Sequence, residues 1–204
     1  MAPPQGARGM KRSQLPRPVF TASCILVCAC LFVLWSKPAA RLVWNGSESA
    51  PTGLYWVAQI RHIERGDFVI IQPPPSIARF LADRRYLPIN VPLMKHVTGL
   101  PGDTLCRTGV SVSVNGTTVA TAKMRDRRGR ALPVWTGCTR IGDADIFLLN
   151  HNDDSLDGRY FGPLPASGVT GRAHPLFIRE APGQPLRWQG TRYFLSNMKA
   201  EKEH

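Results

Sequence analysis

Residues 54–72 read LYWVAQIRHIERGDFVIIQ, and this stretch decides the fold class. Its two ends, residues 54–60 and 67–72, are rich in β-branched and aromatic side chains, which fit the pleated surface of a sheet. Each run therefore reads as a strand. The charged stretch between them separates the two.

Toward the C-terminus, Pro73-Pro74-Pro75 breaks the chain. Ile77, Phe80 and Leu81 then fall at helical spacing, with Arg79, Asp83 and Arg84 on other faces, which predicts a short amphipathic helix over 76–85. Further strands are expected at 91–98, 104–107, 110–114 and 117–121. The last two are joined through Asn115-Gly116, a strong hairpin turn signal. Residues 122–132 (AKMRDRRGRAL) read as an exposed basic loop. Residues 145–149 (DIFLL) form a hydrophobic strand, and 167–179 close the sheet. Eighteen glycines and eighteen prolines agree with many turns. The body is thus mainly β with one short helix, over 36–185, followed by a tail over 186–204 that ends in charged residues and frays.

Toward the N-terminus, 36–48 read as a short connection. Residues 19–35, VFTASCILVCACLFVLW, carry no charge and come near the lower length limit of a spanning helix. Arg8, Lys11, Arg12 and Arg17 precede them in a basic segment, 1–18, without an acidic residue. The positive-inside rule keeps that segment cytoplasmic and sends the body across the membrane. The expectation is a single N-terminal transmembrane helix, with the remainder outside the cytoplasm. A cleaved signal peptide, with Ala39 and Ala40 near the cut, is the alternative; the apolar run exceeds a usual signal core.

The net charge of +12 raises nucleic-acid binding. The basic residues are spread along the chain, however, and no dense run stands beside interleaved aromatics. Anionic membrane lipid is the better match, and no nucleic-acid partner is expected. Cys24, Cys28 and Cys30 lie in the apolar run, whereas Cys106 and Cys138 lie in the polar body. No C-x-x-C pair occurs, which argues against a zinc or redox site. The loop from Asp153 has Gly158 at the sixth position of a calcium loop but Leu164 at the twelfth, where Glu is needed. No metal and no cofactor is expected.

Three segments carry candidate chemistry: Asn45-Gly46-Ser47-Glu48-Ser49-Ala50-Pro51-Thr52-Gly53-Leu54-Tyr55, Met94-Lys95-His96-Val97-Thr98-Gly99-Leu100-Pro101-Gly102-Asp103, and Asn152-Asp153-Asp154-Ser155-Leu156-Asp157-Gly158-Arg159-Tyr160-Phe161-Gly162-Pro163. Singly, each has a plain reading: a turn serine, a lysine that reaches for solvent, a set of Asp turns. Together, and with Gly66-Asp67-Phe68-Val69 between the first two, they resemble the signal peptidase I superfamily in order and spacing. Ser49-Ala50-Pro51-Thr52-Gly53-Leu54-Tyr55 is more narrowly similar to the TraF-type peptidases of conjugative transfer systems.

That resemblance implies a signal-peptidase-like β-rich catalytic domain and a Ser–Lys serine endopeptidase. Ser49 is the nucleophile and Lys95 the general base. A serine hydroxyl needs a base, and a lysine can serve only if apolar burial lowers its pKa of about 10.4. Leu93 and Val97 share the face of Lys95 on a strand, which makes such burial credible. His96 points to the opposite face, which disfavours a Ser–His–Asp triad. The resemblance assigns Ser47 to the oxyanion site beside the Ser49 N–H. It also implies that Asp157 and Arg159 help organise the site, against the alternative of a pair that only shapes the loop. Cys106 and Cys138 could pair in an oxidising compartment, with two free thiols as the alternative.

The implied substrate is a pilin precursor or other exported precursor of a type IV secretion system, cut or joined into a ring. Other proteins of the transfer channel are further expected partners. A general signal peptidase, or a non-catalytic structural component of the channel, remain alternatives.

Overall fold

The computed structural model describes residues 21–28 and 42–190. Residues 21–28 are helical (α1), with exposed side chains. No helix among the described residues is long and apolar enough to cross a membrane. Most of the expected anchor over 19–35 lies outside the described residues, as does the charged end of the tail.

The body holds two antiparallel sheets. The larger orders its strands β1 (Leu42–Asn45), β2 (Thr52–Ala58), β11 (Val169–Arg179), β3 (Phe68–Ile71), β4 (Leu93–Gly99), β9 (Asp145–Leu149) and β10 (Leu164–Pro165), with β12 (Arg187–Trp188) also on β11. The smaller orders β7 (Thr117–Thr121), β6 (Ser111–Val114), β5 (Thr104–Thr108) and β8 (Gly137–Arg140).

Strands β3 and β4 are apolar in succession because both their faces are covered. Val69, Ile71, Leu93 and Val97 pack on one side with Leu81, Ile146, Leu148 and Leu164. Ile70 and Met94 pack on the other with Tyr55, Val57, Ala173 and Ile178. The first side is closed by α2 (Pro75–Asp83), where Pro75 suits the first helical turn because its missing N–H would find no partner there. The helix ends as Arg84 N–H donates to Phe80 O and Arg85 turns to a φ of 57°.

Between the sheets, the Gly99–Asp103 turn is knotted by one carboxylate. Asp103 accepts from Leu100 N–H, Asn115 Nδ2 and Arg65 Nη2, each at 2.7 Å. This ties β4 to the small sheet, whose own core of Leu105, Val112 and Val114 packs on Phe147 and Leu149. Cys106 and Cys138 are register partners on β5 and β8 and form a disulfide.

Three expectations need correction. Residues 36–48 are not only a connection, because β1 lies within them; its outward Leu42 and Trp44 reverse the usual pattern and hide it. The tail from 186 contributes β12 before the described residues end. The helix of 76–85, present as α2, is not alone in the body: a single turn, α3 (Gly158–Phe161), follows it in the chain. Residues 122–132 form the exposed basic loop expected, anchored at both ends. Ala122 and Leu132 are buried against Tyr160, and Arg125 bridges Ala131 across a small hairpin.

Candidate active site

Ser49 sits in the turn between β1 and β2. Asn45, buried at the end of β1, organises this turn: its Nδ2 donates to Ser47 O, Ala50 O and Pro51 O at 3.0–3.2 Å, and its Oδ1 accepts from Ser47 N–H at 3.0 Å. Tyr55 Oη donates to Pro51 O at 2.7 Å from the first turn of β2. Gly53 is required where the turn rejoins the sheet. Its φ is 146°, and a Cβ there would stand 2.0 Å from Phe177 O. The result presents Ser49 Oγ 2.8 Å from Ser47 Oγ at an exposed position.

Lys95 is the opposite kind of residue. Its side chain projects from β4 into the body and is 3% exposed. Nζ donates to Ser155 Oγ at 2.7 Å. Burial pushes its pKa down to about 8; Asp157 opposes this and Arg159 assists it. A large fraction of Lys95 is therefore uncharged in mildly basic solution.

Ser155 belongs to the loop 150–157, which holds both halves of the candidate site. Asn150 Nδ2 donates to Met94 O at 3.0 Å, beside Lys95. Asn152 Nδ2 donates to Glu48 O at 2.9 Å, beside Ser49. The base of the loop is an ion pair sealed from water. Asp157 and Arg159 are 2% and 1% exposed, and Arg159 Nε donates to Asp157 Oδ1 at 2.9 Å. Asp157 Oδ2 accepts from Asn150 N–H, while Arg159 Nη2 donates to Asn150 O. Asp157 also caps α3, with Oδ1 accepting from Arg159 N–H. Gly158 admits no side chain, since a Cβ would stand 2.5 Å from Phe147 Cε2.

His96 lies on the other face of β4. It stacks on Phe68 with centroids 4.5 Å apart, and His151 meets its ring edge-on at 5.7 Å. Ser49 stands between two concavities. One, of about 750 Å³, runs past His96, Asn150 and His151. The other, of about 290 Å³, runs past Tyr86, Leu156 and the basic hairpin. Among the described residues no cluster of His, Cys, Asp or Glu could hold a metal ion. Asp154 of the Asp-rich loop is taken up by Lys123 and Arg127, at 2.5 and 2.6 Å.

Ser155, Asn45, Asn150 and Asn152 did not stand out in the sequence. A polar residue in a turn has no periodicity, and only its position within the third segment could have marked Ser155.

The sequence model for signal peptidase, peptidase S26, matches residues 14–178. The chain belongs to this family. Its relatives place it among the TraF-type members. It is 31% identical over 144 residues to the conjugal transfer protein TraF of Agrobacterium fabrum (strain C58), covering 65% of this chain and 80% of that protein. It is 36% identical over 139 residues to the probable conjugal transfer protein TraF of Sinorhizobium fredii (strain NBRC 101917 / NGR234), covering 63% and 73%. A signal peptidase I crystal structure from Enterococcus faecalis V583 is 20% identical, spans 56% of this chain and 98% of that one, and has a TM-score of 0.33, too low to bear on the fold. Peptidase S26 is a family of serine peptidases, and the candidate site carries a serine and a buried lysine.

Proposed function

We propose that this protein is a serine endopeptidase with a Ser49–Lys95 dyad, acting in conjugative transfer on a propilin or other exported precursor. One observation carries the proposal: a lysine buried to 3% exposure, with its pKa lowered to about 8, whose Ser155 partner lies on the loop that Asn152 fastens to the Ser49 turn.

The chemistry follows from these groups. Neutral Lys95 accepts the Ser49 proton as Oγ attacks the peptide carbonyl. The hydrogen bond from Nζ to Ser155 Oγ orients the amine and leaves its lone pair free. Negative charge on the carbonyl oxygen is met by the Ser49 N–H and the Ser47 hydroxyl, a kind of donor whose loss typically costs about 2.7–4 kcal/mol in the transition state. Lys95 returns the proton to the leaving amine. Water then hydrolyses the acyl-enzyme, or a peptide amine attacks it and closes a ring.

The membrane setting is part of the proposal: an inner-membrane anchor with the peptidase domain in the periplasm. Trp44, Leu54, Phe177 and Trp188 are successive register partners across β1, β2, β11 and β12. Trp44, Phe177 and Trp188 are all exposed, as suits a sheet face lying against lipid headgroups.

The test is co-expression of the candidate pilin precursor with wild type, Ser49→Ala and Lys95→Ala, read by mass spectrometry. The proposal expects a shortened or cyclised product with wild type alone. Pilus assembly and processing that continue unchanged with both variants would replace it with a structural role in the channel.

A further inference from the structure

The smaller concavity at Ser49 is strongly cationic. Its lining includes Arg85, Lys123, Arg125, Arg127, Arg128 and Arg130, against the carboxylates Glu48, Asp126 and Asp154. Two of the three carboxylates are already engaged. Asp126 accepts from Tyr86 Oη, from the N–H groups of Arg128 and Arg130, and from Arg130 Nε. Asp154 accepts from Lys123 and Arg127. Among the described residues Arg85, Arg125 and Arg128 form no ion pair, though Arg125 Nη1 donates to Gly129 O at 2.6 Å, and all three are exposed where they line the concavity.

These cations stand on a fixed frame. Arg130 Nη1 donates to Arg84 O at 3.0 Å, Arg84 Nη1 donates to Ala131 O at 2.6 Å, and the Arg130 guanidinium lies 4.7 Å from the Tyr86 ring centre. Lys123 N–H donates to Tyr160 Oη at 2.9 Å. The hairpin is thereby pinned to the end of α2 and to α3. A merely solvated basic loop would need none of these ties. Beneath the cations lie Leu132, Leu156 and Tyr160, an apolar floor. At about 290 Å³ the space falls just below the roughly 300–1,000 Å³ of small-molecule sites and suits a few peptide side chains.

We propose that this concavity is a specificity subsite for an acidic segment of the peptide substrate, adjoining the bond cut at Ser49. The inference rests on the peptidase reading above. Carboxylates of the substrate would meet Arg85, Arg125 and Arg128, while the aliphatic parts of the segment cover the floor. An exposed cation contributes little alone, but several converging on one segment select it over a neutral one and speed its arrival.

The test uses the full chain in detergent and two synthetic peptides. Both have a central Ala-Ala; one is flanked on each side by Glu, the other by Gln. Calorimetry on Ser49→Ala measures binding without turnover. The Glu peptide is expected to bind about five- to tenfold more tightly, with a preference that weakens as salt rises. The preference should collapse in Ser49→Ala carrying Arg85→Gln and Arg128→Gln. It should persist in Ser49→Ala carrying Arg61→Gln and Arg187→Gln, which removes the same charge elsewhere. Should that pattern hold while wild type cuts neither peptide, the concavity stands as an acidic-peptide site and the peptidase reading fails. Equal binding of both peptides, with wild type cutting both equally, would overturn the subsite and keep the peptidase. Arginine-dependent binding to phosphatidylglycerol vesicles without peptide preference would overturn it in favour of a lipid surface.

Discussion

The Ser49 turn and the surroundings of Lys95 are built on opposite principles. The turn is open to solvent and held from below, by Asn45 through three backbone carbonyls and by Tyr55 and Asn152 through one each. Lys95 is enclosed by apolar strands and rests near a dry ion pair. A nucleophile must be reached by a peptide, so its support comes from below. A lysine base must lose its proton, so it must be hidden from water. The contrast teaches that the two halves of the proposed dyad can fail in different ways, and substitutions should separate them.

The largest effect is expected from Ser49→Ala and Lys95→Ala. Each should lower kcat by roughly 10⁴- to 10⁶-fold in a peptide-cleavage assay, and the double variant should be little worse than either. Comparable residual activity in either single variant would break the pairing. Next is Arg159→Ala, which strands Asp157 in the interior. It should lose about 3–5 kcal/mol of unfolding free energy in urea. Asn45→Ala touches only the exposed half, and should lower kcat with a smaller loss of stability. Ser155→Ala sharpens the comparison further. It should leave the fold intact and lower kcat roughly 10- to 100-fold by freeing the amine to misorient. Its pH–rate profile should also move, which a merely structural role would not cause.

How far the sequence showed this contrast depends on the residue. Strands β2, β3, β4 and β9 were legible because their apolar runs pack in the core. Strand β8 was not, since all of its residues are exposed and pairing alone defines it. The burial of Lys95 was legible through Leu93 and Val97 on its own face, and both lie in the core. Asp157 and Arg159 stood out in the third segment, and they form a buried ion pair. Ser155 and Asn45 were not visible, because their role depends on segments far apart in the chain meeting in space. The basic loop was legible as exposed, whereas the Tyr86 and Arg84 contacts that fix it were not, because they come from the end of α2 and the turn after it.

The smallest expected effect concerns stability. The Lys95 pKa is lowered to about 8 in the folded protein, against about 10.4 when unfolded. Between these values the unfolded chain holds more protons, so this group adds stability as pH rises from about 8 to 10.4. Below about 8 both states carry the charge, and the folded state bears its burial. Lys95→Met should therefore be more stable than wild type at pH 7, by roughly 1–2 kcal/mol, and the advantage should shrink by pH 10. Urea unfolding at the two pH values checks both the sign and the trend.

The central claim is that Lys95 is uncharged often enough to deprotonate Ser49. The most direct measurement is an NMR titration of the Lys95 side chain in the full-length protein, assigned by comparison with Lys95→Met. The account predicts a midpoint near pH 8, below which log kcat/KM rises with unit slope and above which it levels off. A midpoint at the ordinary lysine value of about 10.4 would contradict it.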